Sequence, residues 1–260
     1  MKFGIAISTI IPLRREPTEQ SEMVSQVLFG ELFTIIEKKK TWFFIQLAHD
    51  NYEGWIDEKM FVEIEQEDFE KMSTLKPVFT NKLLTKVECI KTKEITQLVP
   101  GSLLHFYDKN TNLFKNNNLE YKLIDAYNRS NDVRKHIVDL SKIYLNAPYL
   151  WGGRTPFGID CSGFTQILYK LNGIDLPRDA KEQVNLGTTL NFTHEAKPGD
   201  LAFFENTDGI ITHTGVVLVN GLIIHASGKV RIDKLDHQGI YNSETKKYSH
   251  KLRVIQNIID

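Results

Sequence analysis

The spacing of apolar residues changes near residue 130, and this change constrains the fold more than any other feature. Before it, short runs of β-branched and aromatic residues alternate with turn residues, which is typical of small β-barrels. After it, Val133, Ile137 and Leu140 recur at helical spacing behind a predicted cap at Ser130 or Asn131. We therefore predict a strand-rich N-terminal half and a C-terminal half that begins with a helix.

Two strand-rich modules are predicted before residue 129. The first covers residues 1–65, with strands at 24–28, 32–37, 42–48 and 54–56. The second covers residues 66–128 and is a degenerate copy, because the segment 99–104 repeats the shape of 28–33. We expect each module to form a small β-barrel.

The third predicted domain, residues 129–260, combines helices with strands. A second helix is predicted around Phe164 and Leu171, and Gly173 closes it. Strands are predicted at 201–204, 213–219 and 222–226. The fold class is therefore α+β, with helices packed on an antiparallel sheet.

Composition excludes several classes of protein. The formal net charge is -1, so the chain lacks the basic excess that nucleic-acid binding requires. No segment is long and apolar enough to be predicted as a membrane span. The N-terminal residues lack the uninterrupted apolar run of a signal peptide, so we expect a cytoplasmic protein without nucleic-acid or membrane partners.

Cys161 is the strongest candidate for a catalytic residue. It follows a glycine-rich loop at the predicted start of a helix, where oriented N–H groups stabilise a thiolate and could also hold an oxyanion. A lone cysteine is more often a small buried core residue. Two histidines on later predicted strands, His213 and His225, favour catalysis, because an imidazole can take the thiol proton and return it to a leaving amine. We expect an ionised sulfur beside an imidazole in a water-restricted cleft.

The motifs around these residues resemble a known family over residues 130–260. They are YLWGG at 149–153, DCSGF at 160–164, LPR at 176–178, KPGDL at 197–201 and HTGVV at 213–217. The chain here closely resembles the NlpC family of papain-like cell-wall peptidases, and residues 1–65 resemble bacterial SH3-like domains. The resemblance implies a papain-like α+β domain preceded by SH3-like barrels. It also implies Cys161 as nucleophile, His213 as general base and His225 as the residue that orients His213.

The register of the hairpin around Asn220 and Gly221 tests this assignment. A two-residue turn would place His213 and His225 on opposite faces of the sheet, because side chains alternate. A three-residue connection, with Gly221 in the left-handed conformation, pairs Gly215 with His225 and puts both imidazoles on one face. We predict the second register.

Zinc binding is the alternative use of the same side chains. Cys161, His213 and His225 could supply three ligands. The chain has no CxxC or HxxxH pair, and the DCSG context matches a nucleophile. We therefore predict no metal and no cofactor.

The family resemblance also implies a substrate. Relatives with SH3-like domains cut murein stem peptides between γ-D-Glu and a diamino acid, usually meso-diaminopimelate or Lys, and several recycling enzymes require a free N-terminal L-Ala. We expect a monomeric γ-D-glutamyl-L-diamino acid endopeptidase of the dipeptidyl-peptidase VI type that acts on L-Ala-γ-D-Glu-diamino acid in cell-wall recycling. The residues predicted to contact the substrate are Tyr149, Asp160, Ser162, Asp179, Ala180, Glu22 and Tyr52.

Several of these residues also have a structural interpretation that involves no substrate. Ala180 stands where relatives can carry Ser, which leaves one polar contact open. Glu22 is more typical of an acid on a barrel surface and Tyr52 of a half-buried barrel tyrosine, and Arg178 could serve only as an ion-pair partner of Asp179. Two other functions also stay open. One is a wall-binding protein in which the cysteine is incidental, and the other is a different amidase or acyltransferase that uses the same thioester chemistry.

Overall fold

A computed structural model of the chain describes residues 1–124 and 132–259. The chain divides into two compact units, Met1–Asn128 and Arg129–Asp260. The border between them and the predicted caps Ser130 and Asn131 lie outside the described residues. Within the described ranges, no helix has the length and apolar character needed to cross a membrane.

The first unit consists mainly of short strands. It contains the helix α1 (Gln66–Thr74) and a 3₁₀ turn at Glu58–Met60. Its strands are β1 (Lys2–Ala6), β2 (Ile10–Arg14), β3 (Met23–Leu28), β4 (Leu32–Lys39), β5 (Trp42–Leu47), β6 (Glu53–Asp57), β7 (Phe61–Ile64), β8 (Thr85–Cys89), β9 (Ile95–Leu98), β10 (His105–Asp108), β11 (Leu113–Asn116) and β12 (Leu119–Leu123).

Strands β1 to β7 form one antiparallel sheet in the order β3-β2-β6-β5-β4-β1-β7. The four strands predicted in this region are present, with ends that differ by one or two residues from the predicted ones. Their alternating apolar residues enclose a core that includes Leu13, Phe33, Ile45 and Ile56. The sequence did not reveal β1 and β2, because their short apolar run is interrupted by polar residues and by Pro12.

Strands β8 to β12 form a second sheet in the order β10-β11-β12-β8-β9. The repeat proposed from the sequence has a structural counterpart in two matching turns. Gly30 and Gly101 both adopt positive φ, of 81° and 91°. In each turn the residue after the glycine donates its N–H to the carbonyl oxygen two residues before the glycine, Leu28 or Val99. The two modules thus share a local turn geometry that glycine allows.

Phe29 links the two sheets of the first unit. It belongs to the first module in sequence, yet it is 1% exposed and packs in the core of the second. Its ring meets those of Phe114 and Tyr121 edge-on, at centroid distances of 6.4 and 5.7 Å. His105 adds a polar link, because its Nε2 lies 2.7 Å from the carbonyl oxygen of Gly30. The predicted border between residues 65 and 66 therefore runs inside one compact unit.

Replacing Phe29 with Ala should destabilise the first unit by about 3–5 kcal/mol, because it removes a buried aromatic ring and leaves a cavity. Denaturant unfolding of the full chain, followed by fluorescence and circular dichroism, would measure the loss. Phe192→Ala is the control, since Phe192 is 60% exposed. Equal midpoints for the two variants would show that Phe29 does not hold the sheets together.

The second unit contains the remaining elements. Its helices are α2 (Val133–Ile143), α3 (Cys161–Lys170) and α4 (Ala180–Gln183), with a 3₁₀ turn at Thr193–Glu195. Its strands are β13 (Arg154–Thr155), β14 (Gly158–Ile159), β15 (Thr188–Leu190), β16 (Leu201–Glu205), β17 (Ile211–Leu218), β18 (Leu222–Ser227), β19 (Lys229–Leu235), β20 (Gly239–Asn242) and β21 (Lys247–Asn257).

The large sheet of this unit closes on itself. Its order is β15-β21-β16-β17-β18-β19-β20, and β20 also pairs with β21. A core that includes Ala202, Phe204, Val217 and Ile223 fills one face of this closed sheet. The predicted antiparallel sheet and helices are both present, but the unit has more strand than the predicted α+β arrangement suggests. The closure was missed because the long C-terminal strand β21, rich in Lys and polar residues, has no clear strand pattern.

The helices pack beside the strands that carry the two histidines. Helix α2 begins at Val133 behind an Asp132 cap, and Tyr144 packs edge-on against Phe164 of α3. Helix α3 is buried along its whole length and packs against β17 and β18. Arg134 fastens α2 to the turn before β16, since it donates to Asp200 Oδ1 at 2.8 Å and to the carbonyl oxygen of Pro198 at 3.1 Å. The KPGD motif thus serves to seat a helix on the closed sheet.

Candidate active site

Cys161 is the first residue of α3, as the sequence predicts. Asp160 is the helix cap, and its Oδ1 accepts the Gly163 N–H at 2.7 Å. The first N–H groups of a helix have no acceptor within the helix, so the amide of Cys161 is available to an oxyanion. The start of α3 therefore carries both the thiol of Cys161 and an N–H group that can donate to an oxyanion.

Glycines bring the preceding loop close to this helix start. A Cβ on Gly163 would lie 2.3 Å from the carbonyl oxygen of Gly153. Asp160 holds the same loop, because its Oδ2 accepts the Gly152 N–H at 2.8 Å. The glycines of the YLWGG and DCSGF motifs are thus required by close backbone packing.

Arg178 pairs with Asp160, whereas the sequence analysis named Asp179 as its possible partner. Its guanidinium donates to both oxygens of the Asp160 carboxylate, and one of these bonds, to Oδ1, measures 3.0 Å. It also donates to the Ser162 hydroxyl at 3.0 Å. All three side chains are buried. A buried carboxylate needs such a partner, so the LPR motif supplies the charge that stabilises the cap of α3.

The hairpin that carries the two histidines has the predicted register. Gly215 pairs with His225, and Leu218 pairs with Leu222 across a three-residue connection. Gly221 has a φ of 66°, in the left-handed region, and so does Asn220 at 60°. A Cβ on Gly215 would lie 2.7 Å from that of His225, so glycine leaves the space this histidine needs. Both imidazoles share one face, as the register requires.

A chain of hydrogen bonds runs from His213 into β19. His213 Nε2 lies 2.8 Å from His225 Nδ1, and His225 Nε2 lies 3.0 Å from Asp233 Oδ2. Arg231 donates to both Asp233 oxygens, from Nε at 2.7 Å and from Nη2 at 3.0 Å. His213, His225 and Asp233 are each at most 5% exposed. The predicted pair of histidines is therefore backed by a buried carboxylate.

The sulfur of Cys161 lies against the backbone on both sides of His213. The thiol donates to the carbonyl oxygen of Thr212 at a distance of 3.9 Å. The backbone of Thr214 favours the thiolate through a hydrogen bond that lowers the thiol pKa. Since His213 Nε2 faces His225, its Nδ1 is the nitrogen left to serve the thiol.

Burial disfavours the charged forms of both reacting groups. It raises the pKa of Cys161 to about 12, with the negative charge of Asp160 adding to the effect. It also lowers the pKa of His213 well below its usual value, and His250 and His225 contribute in the same direction. Desolvation therefore opposes the predicted ionisation of the sulfur, whereas the helix start and the Arg178 charge favour it, and the ionised state stays a prediction.

A third histidine, His250 on β21, covers His213. The two rings stack at a centroid distance of 4.0 Å and an interplanar angle of 22°. Burial, with a smaller effect of His225, lowers the pKa of His250 to about 4.

Nitrogen atoms of His213, His225 and His250 lie within 4.8 Å of one another, so these three histidines could form a metal site different from the Cys161-containing set considered above. Hydrogen bonds to Asp233 and between His213 and His225 already occupy three of their nitrogens.

Comparison with known proteins agrees with this geometry. Residues 146–249 match the model of the NlpC/P60 family, and residues 13–60 match that of the bacterial dipeptidyl-peptidase SH3 domain. The chain contains an NlpC/P60 domain and an N-terminal bacterial SH3-like domain, and it is a cysteine peptidase.

Two relatives of the chain are named as dipeptidyl-peptidases. A γ-D-glutamyl-L-lysine dipeptidyl-peptidase of Bacillus cereus is 28% identical over 237 residues, which cover 80% of this chain and 68% of the relative. Dipeptidyl-peptidase 6 of Lysinibacillus sphaericus is 28% identical over 258 residues, which cover 90% of this chain and 92% of the relative.

A solved structure matches the fold. The crystal structure of an NlpC/P60 family protein from Bacillus cereus superposes with a TM-score of 0.82. It covers 99% of this chain and 100% of its own, at 19% sequence identity. This likeness establishes that the NlpC/P60 fold with its SH3-like domain extends over the chain.

The predicted substrate-binding residues of the NlpC/P60 domain lie in different settings. Burial raises the pKa of Tyr149 to about 12, and the charges of Cys161 and Asp160 contribute in the same direction. Ala180 is buried at the start of α4, and Asp179 is the cap residue before it. Buried Ser162 and Asp160 are engaged by Arg178. Their contacts with substrate stay predictions.

The two residues predicted from the SH3-like domain have structural roles there. Glu22 forms an ion pair with Arg15 at 2.8 Å, and both side chains are at least one-third exposed. Tyr52 packs against the core of the first sheet, and its N–H donates to Asp50 Oδ1 at 3.0 Å. A contact of Glu22 or Tyr52 with substrate stays a prediction.

Asp233, Arg231 and His250 were missed from the sequence. Asp233 lies on β19 diagonally opposite His225, because Ile223 pairs with Asp233 and His225 pairs with Arg231. A strand predicted at residues 229–235 would have suggested this contact. His250 gives no such signal, since it lies on β21, which the sequence did not predict as a strand beside β16.

The raised pKa of the Cys161 thiol leads to a prediction of how its alkylation rate depends on pH. Because burial raises the Cys161 pKa to about 12, the thiolate fraction increases through the whole range below that value. Inactivation by iodoacetamide should therefore accelerate about tenfold per pH unit between about pH 7 and 9. The Cys89→Ala background removes the other free thiol, which is also buried. A rate that is constant above about pH 6 would indicate a thiolate–imidazolium pair and contradict this electrostatic account.

Proposed function

We propose that this peptidase hydrolyses the bond between γ-D-Glu and a diamino acid in murein peptides that carry a free N-terminal L-Ala. The observation that carries the proposal is the helix-start thiol of Cys161, which lies against the backbone on both sides of His213, the partner of His225. The chain is also similar to a relative named for γ-D-glutamyl-L-lysine cleavage. The role in wall-peptide recycling, the cytoplasmic location and the monomeric state are parts of the same hypothesis.

The residues provide each proton transfer that hydrolysis needs. His213 Nδ1 takes the thiol proton as the sulfur attacks the γ-carbonyl carbon, and the helix-start amide of Cys161 stabilises the resulting oxyanion. Collapse of this intermediate breaks the C–N bond, and the His213 imidazolium returns the proton to the leaving amine. Water, deprotonated by His213, then cleaves the thioester and regenerates the thiol. The products are L-Ala-D-Glu and the diamino acid.

The neutral forms of Cys161 and His213, which burial favours, fit this order of proton transfers. A thiol and an imidazole that are both neutral exchange a proton only when the substrate carbonyl accepts the sulfur, so charge separation in a dry site coincides with bond formation. The His225–Asp233 pair then stabilises the imidazolium that forms on His213.

Recognition of the free amine is the most demanding part of the proposal. The Asp160 carboxylate already accepts from Gly152, Gly163 and Arg178. A carboxylate has about four acceptor positions, so a substrate ammonium must share them with the guanidinium. We therefore assign Asp160 first to holding the loop and the helix start, and we assign the nearby hydroxyl of Tyr149 to the substrate.

Two peptides test the proposed reaction. The protein should release Lys from L-Ala-γ-D-Glu-L-Lys, and release the diamino acid from the meso-diaminopimelate peptide, as measured by liquid chromatography and mass spectrometry. N-acetylation of L-Ala should reduce kcat/KM by at least about tenfold, since it removes charge-assisted hydrogen bonds to the ammonium. Equal cleavage of free and acetylated peptides would remove the free-amine requirement only.

Substitution of each cysteine separates catalysis from folding. Cys161→Ala should reduce kcat by at least about 10³-fold with little loss of stability, because it deletes the nucleophile. Cys89→Ala, which removes the other buried thiol, should leave kcat within about twofold. Full activity of Cys161→Ala, or no release from either peptide by the unmodified protein, would refute the proposed function.

A further inference from the structure

The hydrogen bonds behind His213 determine where its proton lies. A neutral imidazole has one nitrogen that donates and one that accepts, whereas an ionised carboxylate only accepts. Asp233 lies 3.0 Å from His225 Nε2, so this nitrogen must carry the proton. His225 Nδ1 is then an acceptor, and it lies 2.8 Å from His213 Nε2. His213 must therefore carry its proton on Nε2, which leaves a lone pair on Nδ1.

The opposite tautomers would disable the base. If His225 were protonated on Nδ1, its Nε2 lone pair would face the Asp233 carboxylate, and the two would repel each other. His213 would then accept from His225 and carry its own proton on Nδ1. That nitrogen could no longer take a proton from the Cys161 thiol. Only the arrangement with protons on Nε2 of both His213 and His225 satisfies the hydrogen bond to Asp233 and also leaves Nδ1 of His213 able to accept the thiol proton.

Asp233 is held in the ionised form by its neighbours. Burial raises its pKa, but hydrogen bonds from His225 and Arg231 outweigh this effect and lower the pKa below its usual value. Arg231 binds both carboxylate oxygens and in turn meets Glu244 at 3.2 Å. Because the guanidinium is always charged, Asp233 remains a pure acceptor.

His250 leaves this arrangement intact. It stacks on the ring face of His213 at a centroid distance of 4.0 Å, so it lies outside the plane in which the nitrogens of that ring form hydrogen bonds. Its Nδ1 lies 2.9 Å from the Ser249 hydroxyl. The tautomer of His213 is thus set from the side of His225.

We propose that Asp233, acting through His225, fixes the tautomer of His213 and so serves as a positioning residue for proton transfer from Cys161. This inference rests on the proposed function for its effect on turnover. Its effect on the histidine protons is independent of any substrate.

Nitrogen NMR of the unmodified protein tests the proton positions. In ¹⁵N-histidine-labelled protein at mildly alkaline pH, the Nδ1 atoms of His213 and His225 should give the shifts of unprotonated nitrogen, and both Nε2 atoms those of protonated nitrogen. His213→Gln and His225→Gln provide the resonance assignments. A protonated Nδ1 on His213 would overturn the proposal, whether or not any peptide is cleaved.

Two substitutions at Asp233 test its effect on catalysis. Asp233→Leu removes the acceptor and should reduce kcat about 10- to 100-fold with KM within about threefold, since a charge-assisted hydrogen bond no longer selects the reactive tautomer. Asp233→Asn keeps one acceptor oxygen and should recover part of this loss. The same NMR spectra should show mixed tautomers in Asp233→Leu.

Glu205→Leu is the matched control. Glu205 is another largely buried carboxylate on the same closed sheet, paired with Lys251 at 2.7 Å and Arg253 at 3.5 Å. Its loss should lower stability without changing kcat by more than about twofold. Unchanged tautomers and kcat in Asp233→Leu, or an equal loss of kcat in Glu205→Leu, would overturn the positioning role. No peptide cleavage by the unmodified protein would count against the proposed function alone, because the NMR result would still decide the tautomers.

Discussion

The hydrogen bond between His213 Nε2 and His225 Nδ1 is the interaction on which the active site depends. Its 2.8 Å length requires both rings on one face of adjacent strands. That condition is met because the hairpin turns through Val219, Asn220 and Gly221, and a shift of one residue would separate the rings. The left-handed conformation of Gly221 thus has a direct chemical consequence at the other end of the strands.

The site combines a low-dielectric setting with fixed polar groups. Burial opposes charge on both Cys161 and His213, as the directions of their pKa shifts indicate. Compensation comes from groups that are already oriented, namely the start of α3 and the carboxylate of Asp233. Such a site stabilises charge that forms during the reaction more than charge in the free enzyme, which is the condition for catalysis.

The sequence predicted the parts of this site that depend on local patterns. The helix start at Cys161, the strand positions and the hairpin register follow from periodicity, turn residues and alternation, and the structure agrees with them. It did not predict the partner of Arg178 or the contact between His250 and His213. Neither contact follows from a local pattern, and His250 reaches the site because β21 pairs with β16, the neighbour of the strand that carries His213.

The same limit applies to the first unit. Its strands were predicted from turn residues and β-branched runs, yet the burial of Phe29 in the second sheet was not. An apolar residue in a turn gives no indication of which core it enters. The opposing effect of burial on the Cys161 thiol was not predicted either, because a helix start is visible in a sequence and the depth of burial is not.

Trapping of the covalent intermediate tests the central claim most directly. The protein is mixed with excess L-Ala-γ-D-Glu-L-Lys, quenched with acid within milliseconds to seconds, digested and analysed by mass spectrometry. The account predicts one L-Ala-D-Glu acyl group attached to the peptide that contains Cys161, formed and consumed at rates compatible with turnover. Turnover without an adduct at any quench time, or an acyl group attached to another residue, would contradict it.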